Sequence, residues 1–181
     1  YDPTVPSIEE VLGDGPGERI FFAAELLSYL DALAEARPNQ VRVFEYATSW
    51  EGRKLVYAVV GSEENIGRLD EIKTSMQKLA DPRTIDDAQA RRIIDSSPAI
   101  TWLAYGIHGD ELSSVDAATA IAYWLVAGED ERAVELRKTL VVLIDPVENP
   151  DGRDRYLAQT ASFAHSVPNP DTEDLSHTSV W

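Results

Sequence analysis

The stretch 99-AITWLAYGIHGDEL-112 changes character at Gly106. Ala99 to Tyr105 is an apolar run with the mark of a buried strand, and it gives way to His108, Gly109, Asp110 and Glu111. A strand that ends by presenting an imidazole and two carboxylates in a glycine-flexed turn is the arrangement of a metal site on an α/β scaffold. Downstream the pattern repeats. Thr139 to Ile144, TLVVLI, is a second continuous apolar run and reads as a buried parallel strand, followed by Asp145, Pro146 and the polar segment VENPDGRDRY, Val147 to Tyr156.

Two buried strands, each preceded by helices and each ending in a polar turn, imply an α/β fold: an open sheet with helices on both faces. In such sheets ligands sit in the crevice beyond the carboxyl ends of the strands, which aligns His108, Glu111 and the Asn149 to Arg155 segment along one edge. Upstream, Val41 to Ala47 alternates and Leu55 to Val60 is continuously apolar, with Gly52 between them, so these strands pair as an antiparallel hairpin. The sheet is therefore mixed. Helical spacing marks 18–36, a helix following Ser62 to about Leu79, then 84–95, 112–127 and 131–137. Tyr1 to Gly17, rich in Pro and Gly, reads as an irregular lead-in, and 157–181, with no periodic apolar face, as a loop-like tail.

At 181 residues the chain is sized for a single domain with a real core. Its 32 acidic against 16 basic residues give a net charge of -16, a surface that repels nucleic acid and anionic membrane. With no cysteine, any metal must be held by His, Asp or Glu. No apolar run approaches the roughly 20 residues of a membrane span. The chain starts at Tyr1 and not at Met, which is compatible with removal of a leader.

His108 and Glu111 form an H-x-x-E pair, in which a nitrogen and an oxygen donor three residues apart can converge on one cation. Alone the pair recurs by chance, and a surface histidine beside a helix-start glutamate accounts for it; the preceding strand, the flanking glycines and the apolar helix that follows raise it to a candidate site. Asn149-Pro150-Asp151-Gly152 reads as a tight turn. Arg153 and Arg155, two guanidinium groups in a strongly acidic chain, are candidate anchors for a substrate carboxylate or a developing oxyanion, with a solvated ion pair as the plainer alternative. His165 and His177 read as ordinary surface histidines.

GIHGDELSS followed some forty positions later by DPVENPDGRDRY resembles the amino-terminal half of the zinc carboxypeptidase family, the carboxypeptidase A-like metallopeptidases. YATSWEGRKLVYAVVGSEEN, Tyr46 to Asn65, is similar to that family's early strands, and the resemblance spans Pro6 to Tyr156. It implies a hydrolase that removes C-terminal residues from peptide substrates, with one zinc ion per complete domain. By the same resemblance His108 is the first zinc ligand and Glu111 the second, Asn149 to Gly152 shape the floor near the site with Asn149 a candidate substrate-binding residue, and Arg153 or Arg155 polarises the scissile carbonyl. Asp110 stands where some members carry arginine. The third ligand, a histidine, and the general-base glutamate are expected beyond Trp181. On this reading residues 1–181 are the N-terminal portion of one domain, an incomplete α/β/α sheet, inactive by itself and secreted or periplasmic as most members are. Two other readings stay open: an aspartoacylase-like zinc deacylase, which shares the H-x-x-E pair, and a binding module that keeps the fold without the chemistry.

Overall fold

Strand alternation sets the architecture. In the computed structural model, which describes residues 1–163, Val56, Ala58 and Val60 of β2 (Lys54–Val60) lie in one hydrophobic core with Val142 and Ile144 of β4 (Leu140–Asp145). Their sequence neighbours Tyr57, Val59, Val141 and Leu143 face the opposite way, into a second and smaller core. Helices cover both. The larger core is closed by α1 (Ile8–Leu12), α2 (Ala23–Ala36) and α6 (Leu112–Ala127); the smaller by α3 (Glu63–Gly67) and α4 (Leu69–Ala80), through Ile66, Leu69, Ile72 and Met76. This is the open α/β sheet with helices on both faces that the sequence implies.

The sheet order is β1-β2-β4-β3, with β1 at Val41–Thr48 and β3 at Ala99–Ala104. β1 and β2 form the expected antiparallel hairpin, β2 runs antiparallel to β4, and β3 runs parallel to β4 with Ala104 opposite Asp145. α5 (Asp87–Ser96) precedes β3, while α6 and α7 (Glu131–Thr139) make the crossover to β4. Both parallel strands thus deliver their carboxyl ends to the same edge.

Four expectations change. β3 is not buried: as the edge strand among the described residues it leaves Ile100 and Trp102 exposed, Trp102 by 62%. An apolar run marks a strand without telling edge from centre. The lead-in holds a short helix, α1, because Ser7 and Glu10 form a reciprocal capping box (Ser7 Oγ accepts the Glu10 N–H at 3.2 Å, Glu10 Oε2 the Ser7 N–H at 2.7 Å) and Ile8 is buried. The helix assigned to 18–36 starts at Ala23, where the Glu25 carboxylate accepts the Phe22 N–H. Finally, the segment read as a turn and a loop-like tail is helical from Pro150 to Phe163, forming α8; the rest of that tail, with His165 and His177, lies outside the described residues.

Candidate functional site

The site is built where the chain leaves β3 and β4. Tyr105 N–H donates to the Asp145 carbonyl at 3.1 Å, Glu148 N–H to Tyr105 at 2.9 Å and Asn149 N–H to Gly106 at 3.0 Å, so the two strand exits are laced together. Gly106 turns the chain with φ +62, and a Cβ there would meet Val115 Cγ2 at 2.4 Å. The His108 carbonyl then accepts the Glu111 N–H at 3.3 Å, closing a four-residue turn. His108 and Glu111 leave from the two ends of that turn, and both are exposed. Glu111 occupies the N-cap of α6, yet its carboxylate makes no capping bond. A residue with a nitrogen donor and one with a carboxylate therefore leave the two ends of one turn at the positive end of a helix.

The turn rests on α8. A Cβ on Gly109 would lie 2.1 Å from the Gly152 carbonyl carbon and 2.5 Å from the Arg153 nitrogen, so the two backbones touch and only glycine fits. Asn149-Pro150-Asp151-Gly152 is a helix start and not the free turn expected: Asn149 Oδ1 accepts the Gly152 N–H at 2.9 Å, and Pro150 is the first helical residue, where its missing N–H costs nothing. The Asn149 side-chain oxygen is thus committed to the cap.

Arg153 lies in the interior, not at the ligand surface expected for it. Its Nε donates to the Phe21 carbonyl at 2.9 Å, Nη1 to the Leu112 carbonyl at 3.3 Å and Nη2 to Asp116 Oδ1 at 2.6 Å. Burial pushes the Asp116 carboxyl up and the Arg153 guanidinium down, and the attraction between them opposes both shifts. Arg155 keeps a solvent-facing side chain, its Nε donating to Glu51 Oε1 at 2.6 Å.

Glu51 belongs to the β1–β2 hairpin tip, which closes over the start of α8. Asp151 accepts from Ser49 Oγ at 2.7 Å, from the Glu51 N–H at 3.0 Å and from Arg53 Nη1 at 2.7 Å, and Arg53 Nε reaches Asp154 at 2.7 Å. Desolvation alone would raise the Asp151 carboxyl; these hydrogen bonds outweigh it and hold the group below its ordinary value. Nearby, Asp145 is fully buried with Oδ2 accepting from Tyr46 Oη at 2.7 Å and Oδ1 unpartnered, and burial raises its pKa. Sequence reasoning singled out none of Asp116, Arg53 or Asp145, and took Asp151 only as part of the Asn149 to Gly152 turn. Only Asp116 carried a signal, the one charged residue within the helix that follows Glu111. The others meet partners about a hundred residues away.

His108 and Glu111 have the donor chemistry of a zinc site of the histidine–carboxylate type. Among the described residues no group of three or more His, Cys, Asp or Glu side chains could hold a metal ion, so the pair is two donors and not a complete set. Also among the described residues, no helix is long and apolar enough to cross a membrane.

The sequence profile of the zinc carboxypeptidase family matches residues 26–174. Among solved structures, carboxypeptidase A from Helicoverpa armigera superposes with a TM-score of 0.54 at 24% identity, over 77% of this chain and 27% of that one. Thrombin activatable fibrinolysis inhibitor (TAFI) gives 0.54 at 18% identity, over 86% and 30%. At these identities the likeness is one of fold, and the chain spans less than a third of either structure's length. No curated protein sequence matches the chain.

Proposed function

The chain belongs to the zinc carboxypeptidase family, and on that premise we propose that it carries one half of the active centre of a zinc-dependent metallocarboxypeptidase acting on the C-termini of peptides. The observation that carries the reading is the 108–111 turn, closed by the Glu111-to-His108 hydrogen bond and seated backbone to backbone on α8. His108 and Glu111 would hold the ion. A bound zinc supplies a Lewis acid and an activated water. Among the described residues no third donor joins His108 and Glu111, and the general base is assigned to none of those residues.

The remaining chemistry belongs to this chain's own groups. Asn149 fixes the start of α8, and so the floor on which the turn sits. Arg155 is the arginine of the expected pair whose guanidinium faces solvent, and its exposed ion pair with Glu51 is screened by water, so exchange for a substrate carboxylate costs little. Arg155 is therefore assigned the substrate contact. A secreted or periplasmic protein is the reading that accompanies this family.

The test compares peptide hydrolysis by the full-length protein, by residues 1–181 alone, and by full-length His108→Ala. Release of C-terminal residues by the first only is the expected result. Turnover by residues 1–181, or by the His108 variant at the wild-type rate, contradicts the assignment; hydrolysis of N-acyl amino acids in place of peptides would point to the deacylase chemistry.

A further inference from the structure

We propose that Arg153 is a positioning residue for the metal-binding turn: from inside the first turn of α8 it fixes where α6 begins, and with it the placement of Glu111 relative to His108. The inference rests on the zinc-site reading of that pair.

Arg153 is the bulkiest fully buried side chain among the described residues. A guanidinium is costly to bury, and an apolar side chain of similar volume often packs as well or better. What an apolar residue cannot do is hydrogen-bond three acceptors on two other chain segments at once. Arg153 does so with the Phe21 carbonyl just before α2, the Leu112 carbonyl and the Asp116 carboxylate. Two of these bonds bear on Glu111 directly, because Leu112 is the next residue in the chain and Asp116 lies one turn further along the same helix.

The other end of the turn is held by the same residue's backbone. Arg153 nitrogen lies 2.5 Å from where a Gly109 Cβ would be, and its N–H donates to the Asn149 carbonyl at 3.1 Å. Arg153 thus meets the turn one residue after His108 with its main chain and one residue after Glu111 with its side chain. The forked guanidinium suits this task, since its donors point in fixed directions; a lysine offers one compact ammonium and cannot reach all three acceptors together. Glu111 itself makes no capping bond that would anchor α6 at this end, so the start of the helix depends on contacts such as these.

The experiment uses the full-length protein and two readouts: zinc affinity by competition with a chelating dye, and amide hydrogen exchange over 108–116. Arg153→Lys and Asp116→Asn are the mild variants, and Arg153→Met combined with Asp116→Leu is the apolar replacement, expected to keep the fold. In each, zinc affinity falls roughly tenfold or more, the range seen when groups supporting metal ligands are removed. Exchange at Gly109 to Leu112 speeds up while β2 and β4 stay protected. A folded variant with wild-type zinc affinity and unchanged exchange at the turn overturns the proposal. If the wild type itself binds no zinc, the metal reading fails, and the exchange contrast alone decides whether Arg153 positions the turn. Uniform loosening of the whole fold in every variant, with no excess at the turn, also counts against it.

Discussion

A methyl group on Gly109 would sit 2.1 Å from the Gly152 carbonyl carbon, a separation no rotamer change can relieve because both partners are backbone. Gly109→Ala must therefore push the 108–111 turn off α8. Overpacking of this kind costs about 1–3 kcal/mol, and with backbone on both sides the upper part of that range applies. Urea unfolding measures the loss, and a variant as stable as wild type would show that the contact is slack. At this scale the sequence was legible in one respect and opaque in another. His108 and Glu111 stood out because their spacing and flanking glycines are local properties. Arg153 and Arg155 look alike in sequence, two arginines two positions apart, and only the helical geometry of α8 sends one inward to Asp116 and the other out to Glu51.

Among the elements, the coupling of the β1–β2 hairpin to α8 carries a carboxylate whose titration bears on stability. Asp151 is held below its ordinary carboxyl value of 3.8 by hydrogen bonds from Ser49, Arg53 and the Glu51 amide, which exceed the opposing effect of burial. A folded-state pKa below the unfolded one means that the unfolded chain binds more protons, so this contribution is complete above about pH 4 and fades as the pH falls below it. Asp151→Asn is expected to be less stable than wild type at neutral pH, with the gap closing in acid; urea midpoints taken from about pH 6 down to pH 3 test this. A gap that stays constant with pH would show that the charge of Asp151 is not what secures the hairpin. The hairpin itself could be read from alternation and Gly52, whereas its docking could not, because its partners lie about a hundred residues downstream. The start of α8 was hidden for a different reason: Asn-Pro-Asp-Gly serves equally as a turn and as a capped helix start, and the choice is made by Asn149 accepting the Gly152 N–H while its own N–H bonds Gly106. The apolar run of β3 announced a strand but not its edge position, which depends on which strands it pairs with.

For the whole molecule, the layered α/β arrangement follows from the two faces of β2 and β4, each apolar and each covered by its own helices. That arrangement brings the exits of β3 and β4 to one edge and sets an imidazole and a carboxylate on a turn seated against α8. The central claim is that this turn is half of a zinc centre. It is tested most directly by the zinc content of the full-length protein after exhaustive dialysis, measured for the wild type and for His108→Ala. The account predicts one zinc ion per chain in the wild type and its loss in the variant; a wild type free of zinc, or a variant that retains the full complement, would contradict it.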